Sequence, residues 1–168
     1  TVTLTNGKIL TKEICHAIFG SLTNERLVLD NIHVEGSLYN TIGQWSEIII
    51  NQGTDLSKAS SSIYDVGKVT VNGGVMGPDV DLLTDGDSSV TRTLVIKGGI
   101  FQNITDENKS AYEACLDDGY KFELISDGEY YGAYEAVSKY EACVGNSYYE
   151  TLEGAFGDAP DGAIITML

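Results

Sequence analysis

The chain has 168 residues, 42% of them hydrophobic, which is enough for a substantial core and too many for a disordered polymer. Twenty-five acidic residues against 10 basic ones give a formal net charge of -15, a field that repels phosphate backbones and anionic lipid, so nucleic acid is not expected as a partner. No apolar run approaches the roughly 20 residues of a membrane-spanning helix, so no membrane insertion is expected. The opening Thr1-Val2-Thr3-Leu4 lacks a start Met and the layout of a signal peptide, which reads as a processed product or an excised fragment.

Five segments of the first hundred residues align with one another: 2–9, 27–34, 48–55, 69–76 and 94–101, their starts 25, 21, 21 and 25 residues apart. The first column of the alignment holds Val2, Leu27, Ile48, Val69 and Leu94, and the third holds Leu4, Leu29, Ile50, Val71 and Ile96. Aliphatic residues two apart point to one face of a strand, and the residues between them, Thr3, Val28, Ile49, Thr70 and Val95, are all β-branched and suit the opposite face. The sixth column reads Gly7, Ile32, Gly53, Gly74 and Gly99, a residue free to take positive φ at a corner in four of five copies. The eighth column, Ile9, Val34, Asp55, Met76 and Phe101, returns to apolar character except at Asp55, where Leu56 substitutes if the strand bulges. A period of this length with shared columns predicts a β-solenoid of about five coils, each too small to be stable alone. An antiparallel sandwich is the competing reading, but it requires no common column pattern.

From Phe101 onward the period is lost, and eight of the ten tyrosines occur there. Charge shifts as well: residues 1–100 carry 11 acids and 7 bases, and 101–168 carry 14 and 3. The pattern predicts a short helix over 106–116 and a strand over 120–125. A turn at Asp127-Gly128 then leads into a strand over 129–137. A further strand over 139–144, a Gly145-Asn146 turn and a Thr151-capped helix closed by Pro160-Asp161-Gly162 follow, and 164–168 reads as a last strand. Such an antiparallel, Tyr-rich cap with a short helix would cover the open end that a solenoid otherwise exposes.

Gly98-Gly99-Ile100-Phe101 with Ala111-Tyr112 and Leu116-Asp117-Asp118-Gly119-Tyr120 resembles the end of a module in large surface proteins of anaerobic Gram-positive gut bacteria. The stretch Val144-Gly145, Tyr149-Glu150-Thr151-Leu152-Glu153, Ala159-Pro160-Asp161-Gly162 and Ile164-Ile165 is similar to the cap that opens a pectin-lyase-like module. The resemblance implies a mainly β fold built as a right-handed parallel β-helix, an extracellular or cell-surface setting and no defined catalytic residues. The expected organisation is parallel coils over 1–104, an antiparallel cap and meander over 105–146, and a capping helix with the first strand of a following coil over 147–168.

That ordering predicts end-to-end stacking through Val2, Leu4, Ile165 and Met167, the partners being copies of the chain or adjacent modules. The expected function is a structural or fibre-forming surface module. A glycan- or host-binding adhesin is the alternative, and a polysaccharide lyase or hydrolase stands behind both. Trp45, Tyr130, Tyr131, Tyr134 and Tyr149 would form an aromatic platform for glycans or pack the cap. Asp79, Asp81, Asp85 and Asp87 are spaced to offer oxygens to Ca²⁺, the one cofactor the sequence suggests, although the stretch reads equally as a solvated acidic loop. Three cysteines cannot all pair within one chain, which leaves a Cys115–Cys143 disulfide and free thiols both open. His16 and His33 are isolated from one another, and no nucleophile elbow or phosphate-binding loop occurs, so enzymatic activity is not expected.

Overall fold

The computed structural model describes residues 1–11, 18–19, 25–37, 42–43, 45–60, 63–64, 66–83 and 91–168. In chain order its first strands are β1 (Val2–Thr11), β2 (Ile18–Phe19), β3 (Arg26–Ser37), β4 (Ile42–Gly43) and β5 (Glu47–Ile50). β6 (Asp55–Ser60), β7 (Ile63–Tyr64), β8 (Lys68–Met76) and β9 (Thr93–Phe101) follow.

The aliphatic columns pair in the expected register. Val2 lies against Leu27, Leu27 against Ile48, Ile48 against Val69 and Val69 against Leu94, all in parallel. Leu4, Leu29, Ile50, Val71 and Ile96 repeat this two residues on. From β3 to β9 these side chains are buried and make the core, each contributing roughly 1.5–3 kcal/mol before the entropy of ordering is subtracted. Leu56 pairs with Met76 and is buried where Asp55 is not, and the register shift in the β3–β6 pairing is the bulge that places it there.

The pairing circuit corrects the expected right-handed parallel β-helix of about five coils. β3 pairs with β5 through 26–29 and with β6 through 33–37, and β8 pairs with the same two strands through 68–71 and 75–76. β3, β5, β8 and β6 therefore close on one another as a four-stranded parallel barrel, with β1 and β9 added on either side. The cause lies at the glycine column. β8 and β9 run uninterrupted through Gly74 and Gly99, whose φ of 90° and 107° bend the strand instead of ending it. The two arms of each repeat are thus one strand, except at 51–54, where a turn divides β5 from β6. Ile32, the exception in that column, is accounted for one residue earlier: Asn31 takes the positive φ of 54°, as Asn6 does in β1, and leaves Ile32 buried. A second parallel sheet stacks β2, β4 and β7 through Ile18, Ile42 and Ile63.

Beyond β9 come α1 (Lys109–Glu113), β10 (Tyr120–Leu124) and β11 (Tyr134–Ser138), with β11 antiparallel to both β9 and β10. The helix is shorter than expected, and β11 starts later because 127–132 are taken up by bends and turns around Gly128 and Gly132, both at positive φ. β12 (Ala142–Val144), β13 (Ser147–Tyr149), α2 (Leu152–Asp158) and β14 (Ile165–Met167) complete the chain. Thr151 caps α2 as predicted, its hydroxyl accepting from the Gly154 N–H at 3.1 Å. The last strand is not the free start of a following coil: β14 is antiparallel to β12 in a three-stranded sheet with β13, which joins 142–144 to the terminal segment.

Candidate functional site

The first and last strands of the parallel repeat, β1 and β9, are flanked differently. The outer edge of β9 is covered at Ile96 and again over 99–101. Its first half exchanges backbone hydrogen bonds with 115–117, the Ile96 N–H donating to Cys115 and the Asp117 N–H to Ile96, both at 2.9 Å. Its second half pairs with β11. Over the core end, Phe101 meets Tyr112 at 6.0 Å and Phe122 at 5.4 Å, and Phe122 meets Tyr134 at 6.3 Å, in tilted to edge-on contacts that close the apolar interior.

β1 has no such cover. It pairs with β3 on one side, and on the other no strand among the described residues adjoins it. Val2 is 46% exposed where its column neighbour Leu27 is fully buried, and Leu4 and Ile9 are half-buried against the core. This is an open rung of an apolar ladder beside a row of unpaired backbone groups.

Polar side chains extend the ladder to this edge. The Asn31 amide donates to the Asn6 side-chain carbonyl at 2.8 Å, and both residues hold the left-handed conformation. Lys8 pairs with Glu35 at 2.6 Å, and Glu35 lies 3.4 Å from His33 Nε2, whose Nδ1 is 2.7 Å from Asp55. Hydrogen bonds from Lys8 and then His33 hold the Glu35 carboxyl below the ordinary range. For Asp55, partial burial works against ionisation, and hydrogen bonds from Ser57 and His33 outweigh it, so its carboxyl is also lowered.

No family model, curated protein or solved structure matches the chain. The resemblance to surface modules of gut bacteria rests on the quoted residues alone, and the edge must be read from its own chemistry.

Of the residues expected to form the assembly interface, Val2 and Leu4 lie on the open edge. Ile165 and Met167 lie on β14, in the separate sheet with β12 and β13, with Met167 72% exposed. The aromatic platform does not form as expected. Trp45 is only 4% exposed and belongs to the core. Tyr134 packs on Phe122, with the Lys109 ammonium 4.7 Å over its ring, and serves the cap. Tyr130 and Tyr149 are half-buried, and Tyr131, 75% exposed, stands on a turn.

Asp79 and Asp81 lie in the segment directly after β8, where the Asp81 carboxylate accepts from the Leu83 N–H at 2.8 Å, while Asp85 and Asp87 lie outside the described residues. Among the described residues no group of three or more His, Cys, Asp or Glu side chains is placed to hold a metal ion. Cys115 and Cys143 are free thiols, so the disulfide considered from sequence is not formed: Cys115 ends the turn after α1, donating to the Ala111 carbonyl, and Cys143 sits within β12. Burial pushes the Cys115 thiol up. Among the described residues no helix is long and apolar enough to cross a membrane.

Sequence reasoning missed the Asn6–Asn31 pair and the His33–Asp55 pair. The first was available in the alignment, where asparagine precedes the glycine column in both opening copies. The second depends on the bulge that brings Asp55 opposite His33.

Proposed function

We propose that the chain is a structural module of an extracellular or cell-surface assembly, and that its working surface is the outer edge of β1. There it takes up a further parallel strand of its own repeat pattern, supplied by a neighbouring module. One observation carries the reading: the apolar ladder is left open at β1 and closed at β9. A strand added in register would cover Val2, Leu4 and Ile9 and satisfy the free N–H and C=O groups, which is how strands add to sheet edges generally. The surface setting is supported by the resemblance of 98–120 and 144–165 to modules of secreted bacterial proteins, and by the strongly acidic composition.

The test uses a synthetic peptide with the sequence of 26–37, the strand that already pairs with the inner side of β1. Titrated into the chain, it is expected to shift the amide resonances of 2–11 and slow their hydrogen exchange. A Leu4→Lys variant, which sets a charge in the inward column, is expected to abolish the effect while leaving the far-ultraviolet circular dichroism unchanged. Unperturbed β1 amides at millimolar peptide would overturn the reading.

A further inference from the structure

Resting on that reading, we infer that the edge selects its partner strand through Asn6, and that the strand it accepts carries asparagine in a left-handed conformation at the matching position. The repeats fall into two backbone classes. In β1 and β3 the left-handed residue is asparagine in the fifth column, at φ 54° in both Asn6 and Asn31. In the later repeats it is glycine in the sixth column, at φ 80°, 90° and 107° in Gly53, Gly74 and Gly99. A strand bends at its left-handed residue, so strands of the first class nest on one another with their bends aligned, whereas a strand of the second class bends one residue late.

The side chains reinforce this match. Asn31 donates to Asn6, so the hydrogen bond runs toward the open edge, and Asn6 ends the row with its own amide donor exposed to solvent. An incoming asparagine carbonyl in the same column would accept from it and repeat the bond. The preceding, fourth column repeats the device between inner strands of the sheet, where Asn72 donates to Asn51 at 3.0 Å.

The occupant is a strand of a further repeat and not a second copy of this chain. Within a copy, β3, β5, β6 and β8 each have strands on both sides, and β9 is closed by 115–117 and β11. Among the described strands of the repeat only β1 has an open edge; β10, at the far end of the sheet, pairs antiparallel with β11 alone and has no left-handed asparagine to match Asn6. Two β1 edges related by a two-fold axis would meet antiparallel, with their asparagine bends facing opposite ways.

The test compares three peptides by isothermal titration and amide shifts: the 26–37 sequence, the same peptide with Asn31→Ala, and the 68–76 sequence, which has the aliphatic columns but belongs to the glycine class. The Asn31→Ala and 68–76 peptides are expected to bind roughly tenfold more weakly or worse, the loss of one shielded hydrogen bond and of the left-handed preference. Asn6→Gly in the protein keeps the backbone conformation and removes the amide. It is expected to weaken the parent peptide by a similar factor and to make the Asn31→Ala change nearly silent. Equal binding of all three peptides, or independent losses from the two asparagine changes, would overturn the inference while leaving the open-edge reading intact. Failure of all three to bind would remove both.

Discussion

Gly74 and Gly128 both have positive φ, 90° and 79°, yet they face different surroundings. A β-carbon on Gly74 would lie 2.5 Å from the Thr54 carbonyl oxygen, whereas one on Gly128 would meet nothing within 4 Å. Gly74→Ala is therefore expected to cost about 2–4 kcal/mol, since overpacking against backbone and a strained φ each contribute roughly 1–3. Gly128→Ala carries the conformational term alone, about 1–2 kcal/mol. Denaturant melts of the two variants measure the difference, and equal losses would mean that the close approach of β8 to the 51–54 turn is not what requires glycine. The same trade explains why Ile32 is tolerated in a glycine column: the left-handed requirement has moved to Asn31.

At the level of elements, Glu47 at the start of β5 joins three strands, accepting from Arg26 on β3 and pairing with Lys68 on β8 at 3.1 Å. Its partial burial opposes ionisation, but the hydrogen bonds from Lys68 and Arg26 prevail and hold its carboxyl below 4.5. A carboxyl lowered on folding contributes stability that is complete above its unfolded value and is lost as pH falls through the folded one. Thermal melts below pH 4.5 should therefore decline less steeply for Glu47→Gln than for the parent chain. Parallel declines would show that the three-strand bridge adds nothing. The strands themselves were legible in sequence because period-2 aliphatic pairs recur in register, and Val2 and Leu4 could be placed on a terminal rung for the same reason. The closed circuit was not legible, since glycine in the sixth column is compatible with a corner or with a bend and only the pairing partners distinguish them. β2, β4 and β7 are two residues each, too short for any periodicity. Ile165 and Met167 carry the alternation of a strand but nothing that selects its direction or neighbour, which is how an antiparallel partner of β12 could be read as the start of a coil.

Taken whole, the molecule should show a gradient of backbone protection along the order of its strands. Amides of β8 and β9 lie between paired strands under the aromatic cap, and those of β1 that point away from β3 face solvent. Hydrogen exchange at low concentration is expected to be slowest in 69–71 and 94–96 and fastest in 2–11, the opening free energy rising from near zero toward the global value. Uniform protection would show that β1 is held by something other than β3. The cap also gives the sheet a polarity. Phe101, Phe122 and Tyr134 cover the apolar interior beyond β9, so the open rung of the aliphatic ladder is at β1, and an array of the proposed kind would lengthen from that side alone. Under the proposed function the chain would serve as a terminator, with the length of such an array counted back from its cap.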